Sequence, residues 1–240
     1  MERIHNQPAF ILHKRAYRNT SAILEFFTRD HGRISLVAKG VSSGSSRLKG
    51  ILQVFQPLHI SWSRKSELGT MISAETTQAP YLLIDEALYA AMYINEILLK
   101  LTTKDDPHPD IFDQYTHLIA DLVKPSNLQI SLRLFEKKLL QELGYEIDFL
   151  WDAESGEAID SDCTYEFVPG HGFVKCIPDD RKKYQFSGHI LNNIANANLP
   201  NEQSLKAAKH IFQLSIQQLL GNRELSTREL YRAFLSSKKN

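Results

Sequence analysis

Short apolar runs broken by polar turns occupy the first eighty residues of the chain. Runs at 9–14, 22–28, 33–39, 54–62 and 70–75, rich in Ile, Val, Phe and Leu, predict five strands. Turn-forming stretches at 17–21, 29–32 and 40–50 separate the first four, and the polar stretch 63–69 precedes the fifth. Five strands this close together point to a small barrel or sandwich. The runs are nearly continuous rather than alternating, which fits strands covered on both faces.

Beyond Pro80 the period changes. Ile84, Ala87, Leu88, Ala91, Ile94, Leu98 and Leu101 recur at spacings of three and four, one face of a helix. Pro109 suits the first turn of a second helix, with Ile111, Phe112, Tyr115, Leu118, Ile119 and Leu122 as its stripe. Leu128, Leu132, Phe135, Leu139 and Leu143 align in a third, with Gly144 placed to end it. Residues 145–180 break the pattern, being rich in Gly, Asp and aromatic side chains, with weak strands at 164–168 and 172–176. They read as an irregular insertion carrying a hairpin. Two or three helices then return, one with the stripe Leu205, Ala208, Phe212, Ser215 and Leu219, ended by Gly221. Ser226 and Glu229 form a capping-box pair, with Leu225 and Leu230 at staple spacing, at the start of the last helix.

Composition narrows the class. The 240 residues are 42% hydrophobic and 23% charged, a globular rather than a disordered balance. Two cysteines, Cys163 and Cys176, argue against a disulfide-stapled fold. The most apolar long segment, 81–101, carries Asp85, Glu86, Asn95, Glu96 and Lys100 and does not suit a bilayer. The start has no secretory signal, so a soluble cytoplasmic protein is expected. Net charge is zero, which hides an asymmetry. Residues 1–80 hold eleven basic side chains against five acidic ones, an excess of six that the rest of the chain offsets. A basic strand-rich module attracts phosphate backbones through counterion release.

The stretch KGVSSGSSRLKG, residues 39–50, concentrates that charge, setting Lys39, Arg47 and Lys49 among glycines and serines. It lacks the spacing of a nucleotide-binding P-loop, and a solvated turn is its bland alternative. Phe27, Phe55 and Trp62 could stack nucleic-acid bases, with the core competing for the same rings. Cys163, His171, Cys176 and His189 lack the paired spacing of a zinc site, so no metal and no cofactor is expected. No Gly-x-Ser-x-Gly or His-Glu-x-x-His occurs. Asp105 and Asp106 beside Pro107 read as a solvated or capping step, and no catalytic residue is assigned. The weight falls on a binding protein rather than an enzyme.

The stretch AFILHKRAYRNTSAILEFFTRDHGRISLVAKGV, residues 9–41, resembles the opening of the RecO family, bacterial recombinational-repair mediators. So do LKG at 48–50, YINE at 93–96, LRLFEKKLLQELGY at 132–145, LKAAKHIF at 205–212 and STRELYRAF at 226–234. The ordered set covers essentially the whole chain. The resemblance implies an α+β multidomain protein. An N-terminal five-stranded OB-fold barrel, 1–80, binds DNA. A helical domain, 81–240, is interrupted by a zinc-finger-like segment at 145–184. In the family that segment often carries two Cys-x-x-Cys knuckles. Here Asp152 and Ser155 stand at the first, and Cys176 with Asp179 at the second, so a metal-free remnant is expected.

The resemblance also implies partners. Family members bind single- and double-stranded DNA, anneal complementary strands, engage RecR and help RecA displace single-stranded-DNA-binding protein. Arg33, Lys39, Arg47 and Lys49, with Arg15 and Arg18 next, are expected to neutralise phosphates without reading bases. Arg133, the arginine of the LR-x-FE motif, is expected with Lys137 to grip the acidic C-terminal tail of single-stranded-DNA-binding protein. Its bland alternative is a surface cation on a helix. A work site in the cytoplasm, at the nucleoid, follows. The competing class is a non-catalytic adaptor for acidic partner tails, with incidental DNA contact.

Overall fold

The computed structural model describes residues 2–41, 47–124, 128–179, 181, 183–199 and 201–237. Chain contacts divide it into two compact units, one of residues 1–125 with 225–240 and one of residues 126–224.

The first unit is built on five strands: β1 (Glu2–Tyr17), β2 (Ser21–Thr28), β3 (Gly32–Ala38), β4 (Leu58–Arg64) and β5 (Leu68–Thr76). They close into a barrel in the order β1-β2-β3-β5-β4, the arrangement of an OB-fold. All pairs are antiparallel except β3 with β5. Closure depends on β1, which is far longer than the expected run 9–14. Residues 9–17 pair with β2 and residues 2–9 with β4, and register shifts after Ile4 and Ile11 bend the strand between them. Residues 2–7 carry little apolar signal, so nothing in their sequence marks them as strand. At the other extreme, β4 starts four residues later than the run at 54–62, because Phe55 takes a positive φ of 61° and Pro57 precedes the strand.

Ile11, Leu24, Phe26, Ile34, Leu36, Leu58, Ile60 and Trp62 fill the barrel. The outer face of β1 and β2 is covered as well. Phe10 and Phe27 pack against Phe112 and Tyr115 of α3 (Pro109–Asp121), with ring centroids 4.9–6.2 Å apart. Coverage on both faces explains the unbroken apolar runs. Asn95 of α2 (Asp85–Leu101) fastens the layers: its Nδ2 donates to Leu12 O at 3.0 Å, and it accepts the Tyr115 hydroxyl at 2.6 Å. Gly32 is needed where β3 begins. Its φ is +64°, and a Cβ there would lie 2.1 Å from the Asp106 carbonyl oxygen.

The last helix, α7 (Ser226–Ser237), returns to this unit and packs on α2. Its start is not held by Ser226 and Glu229 in the expected way. The Glu96 carboxylate of α2 accepts the backbone N–H groups of Ser226 and Thr227, both at 2.9 Å, and the Thr227 hydroxyl at 2.7 Å. An anion at a helix N-terminus satisfies orphan donors and meets the positive end of the dipole.

The second unit holds α4 (Leu128–Glu142), α5 (Gly188–Ala195) and α6 (Glu202–Leu220). Between α4 and α5 lies a three-stranded sheet of β6 (Thr164–Val168), β7 (Gly172–Cys176) and β8 (Gln185–Ser187), ordered β7-β6-β8. The weak strands at 164–168 and 172–176 are β6 and β7. No helix among the described residues is long and apolar enough to cross a membrane.

Candidate nucleic-acid interface

Strand register decides which basic side chains share a surface. Ala16 of β1 lies opposite Ala22 of β2, which lies opposite Ala38 of β3. Arg15, the turn residue Arg18 and Lys39 therefore sit at one end of the three strands, all exposed. The stretch 40–50, expected to be a turn throughout, ends in a short helix, α1 (Arg47–Ile51), while residues 42–46 lie outside the described residues. Leu48 and Ile51 of α1 pack on the barrel core beside buried Val41 and Leu52, so the helix plugs the barrel. It plugs the same end, because Lys14 of β1 reaches Leu52 O with its Nζ at 3.3 Å. Arg47 and the exposed Lys49 ride on this plug. Arg15, Arg18, Lys39 and Lys49, four of the six expected phosphate contacts, are thus gathered at one rim, and Arg47 begins the helix there.

Arg33 does not join them. It starts β3 at the opposite end, facing Phe27. Its Nη1 pairs with Glu25 at 3.3 Å and its Nη2 donates to Thr102 O at 3.0 Å. Glu25 also accepts the Ser35 hydroxyl at 2.7 Å. With 14% of its side chain exposed, Arg33 serves the barrel wall. Other ion pairs of this unit likewise engage Arg29 with Asp113 and Arg64 with Asp105, away from the rim.

The expected stacking rings are also displaced. Phe27, Phe55 and Trp62 are all buried, so the core has claimed them. An aromatic residue at the rim is Tyr17, over whose ring the Arg18 guanidinium lies 5.1 Å from the centroid. Sequence reading passed over Tyr17 and Lys14. Their signal was position, at the end of a strand next to the turn that carries Arg18.

Two family models match this chain in succession: "Recombination protein O N terminal" over residues 1–80 and "Recombination protein O C terminal" over residues 86–229. Together they span most of its length.

The chain belongs to the RecO family.

Proteins named "DNA repair protein RecO" are similar along nearly the whole sequence. One from Coxiella burnetii is 40% identical over 229 residues, covering 95% of this chain and 98% of its own. One from Aliivibrio fischeri is 37% identical over 225 residues, with 94% of each chain covered. One from Pseudoalteromonas atlantica is 41% identical over 223 residues, covering 93% and 92%.

In this RecO-family chain the second unit holds the other expected site. Arg133 is not a surface cation. Its side chain is 3% exposed, with Nη1 3.1 Å from Glu136, which is itself fully buried. The Nε and Nη1 of Arg133 have no hydrogen-bond partner. Lys137 donates to Ile194 O at 3.2 Å and Ala195 O at 2.8 Å, at the C-terminal end of α5, and lies over the Phe149 ring. Burial pushes its ammonium pKa down, and the nearby Glu146 works against that.

The knuckle positions hold other chemistry. Among the described residues no group of three or more His, Cys, Asp or Glu side chains is placed to hold a metal ion. Asp152, buried, accepts the backbone N–H of Glu154 at 2.9 Å, of Ser155 at 2.8 Å and of Lys175 at 2.7 Å. One carboxylate ties the 152–155 turn to β7. Burial would raise its pKa, but these bonds outweigh burial and hold it below the ordinary aspartate range. Asp179 is salt-bridged to Arg181, and the Cys163 thiol reaches Asp160 at 3.3 Å.

Proposed function

We propose that this chain is a DNA repair and recombination mediator that makes and breaks no covalent bond. It binds single- and double-stranded DNA through phosphates and anneals complementary strands. With RecR it helps load RecA onto DNA coated with single-stranded-DNA-binding protein, in the cytoplasm at the nucleoid. The observation that carries the reading is the rim where Arg15, Arg18, Lys39 and Lys49 converge on one end of the barrel, with Arg47 at the first position of the plugging helix. Cations without base-reading geometry grip any sequence, as annealing requires. Burial of the barrel aromatics leaves phosphate attraction as the main force, with the Tyr17 ring at the rim at hand for stacking. Membership of the RecO family supports the repair role and the partners. We read the 145–184 segment as a metal-free remnant of a zinc-finger-like element, on the Asp152, Ser155 and Asp179 that stand at knuckle positions.

The test is binding of a fluorescent oligo-dT across a salt series. Log K should fall with log salt by about 0.7 for each phosphate neutralised. The double variant Lys39→Glu/Lys49→Glu should bind more weakly with a slope shallower by about 1.4, two contacts' worth. An unchanged slope would remove the rim from the interface.

A second reading, docking of the acidic tail of single-stranded-DNA-binding protein near Arg133, is favoured by its buried Nε, which has no hydrogen-bond partner. A terminal carboxylate oxygen could accept a charge-assisted hydrogen bond from Nε.

A further inference from the structure

The second unit has a cleft of about 450 Å3 at the junction of the 144–153 segment, the β6–β7 turn and the last turns of α6. Tyr145, Trp151, Phe167 and Leu219 line its apolar walls, and Glu146 and Asp148 stand among them. Tyr145 is 56% and Trp151 52% exposed, large aromatic surfaces that the fold leaves uncovered.

The cleft is built before any ligand arrives. Tyr145 N–H donates to Leu140 O at 2.8 Å, and Ile159 N–H to Leu150 O at 2.8 Å. Asp148 Oδ1 accepts Leu150 N–H at 2.8 Å, which fixes the turn that presents Trp151. Asp152, next in the chain, is pinned by its three backbone donors. A ligand would therefore meet a wall with little ordering left to do.

Charge selects the ligand. Residues 145–162 contain seven Asp and Glu and no Lys, Arg or His, and the basic side chain in the cleft lining is His171 of the β6–β7 turn. Lys137 is close enough to feel Glu146, but its Nζ is committed to the Ile194 and Ala195 carbonyls. Phosphates and acidic tails are repelled from such a surface. An ammonium or guanidinium is attracted, and the electron-rich faces of Trp and Tyr add a second attraction for the same group. A guanidinium suits both features, since it can stack flat on a ring and bond a carboxylate at its edge.

We propose that this cleft docks an arginine side chain presented by a partner protein, held between the Trp151 and Tyr145 rings and the Glu146 and Asp148 carboxylates. The contact is opposite in sign to the basic rim and takes a different class of partner. Its failure would leave the DNA reading untouched.

Trp151 reports directly, because the second tryptophan, Trp62, is buried in the barrel. The full-length protein is titrated at pH 8 with acetyl-Gly-Leu-Arg-Leu-Gly-amide and with its Gln counterpart. The Arg peptide should give a saturable change in emission. Affinity should be about fivefold to tenfold weaker for the Gln peptide, and for the Arg peptide on E146Q or D148N. Both substitutions keep the shape of the side chain, and D148N keeps an acceptor for Leu150 N–H. The proposal is overturned if the two peptides bind alike, if no saturable response appears, or if oligo-dT perturbs Trp151 while the Arg peptide does not.

Discussion

Replacing Asp152 should loosen the β6–β7–β8 insertion and leave the barrel intact. The side chain accepts three backbone N–H groups at 2.7–2.9 Å and is 4% exposed. A hydrogen bond to a charged group contributes about 1.5–3 kcal/mol. Glu154 and Ser155 are exposed, so water can replace part of what their amides lose, whereas Lys175 N–H lies within β7. Counting the Lys175 bond in full and the others at a fraction puts Asp152→Ala at about 3–4 kcal/mol. Asp152→Asn keeps one acceptor oxygen but turns an amide donor toward other donors, and should cost about half as much. Amide hydrogen exchange is the assay, because it resolves one part of a chain from another. Protection should fall in 152–176 and stay unchanged in β1–β5. The linkage sign gives a second readout. The Asp152 pKa is lowered in the folded state, so its contribution is complete above the ordinary aspartate value of about 3.9 and is lost as pH falls through the folded value. The gap between wild type and Asp152→Ala should therefore narrow in acid. A loss below about 1 kcal/mol at neutral pH, or a gap that widens in acid, would refute the view that this carboxylate holds the insertion together.

Glu96→Gln should release α7: it keeps the side-chain length but loses the charge facing two N–H groups, a hydroxyl and Lys100. We expect about 1–2 kcal/mol, read as lost exchange protection at 226–234. The folded Glu96 pKa is lowered; burial opposes this, and the bonds from Lys100, Thr227 and Ser226 prevail. Its support for α7 is therefore present at neutral pH and lost on acidification, a dependence that Glu96→Gln should abolish. Arg133→Ala removes the guanidinium paired with the buried Glu136 and should cost about 3–5 kcal/mol. If the variant still folds, a fluorescent acidic tail peptide should bind it at least about tenfold more weakly, and unchanged affinity would end the tail assignment.

The sequence was legible where a single physical signal dominated. Helical stripes placed α2, α3, α4 and α6, and Pro109 and Gly221 fell at their expected ends. Hidden features depend on pairing across the chain. Residues 2–7 are strand only because β4 lies beside them. α1 lies in a glycine- and serine-rich stretch whose composition says turn, and two apolar side chains reaching the barrel core override it. Arg33 and Lys39 are equal as sequence symbols, yet Glu25 and the Thr102 carbonyl occupy one of them. Glu229 promised a cap for α7, while Glu96, 130 residues before Ser226, supplies it. The basic residues of the rim were readable as charge, but only strand register and the seating of α1 show which end they share.

The return of α7 to the first unit has a bearing on synthesis. A ribosome makes Glu96 long before it makes Ser226 and Thr227. At about 5–20 residues per second, the interval between them is roughly ten seconds. Throughout it, the nascent barrel and its helices carry a carboxylate waiting for its donors, with the Tyr89 ring uncovered until Tyr231 and Phe234 arrive. All of residues 126–224 must emerge in that interval. The first unit begun is the last one finished, so a message cut short, or a protease acting near the C-terminus, yields a barrel-bearing fragment with an open apolar seam. Such a fragment is one that quality-control chaperones and proteases recognise.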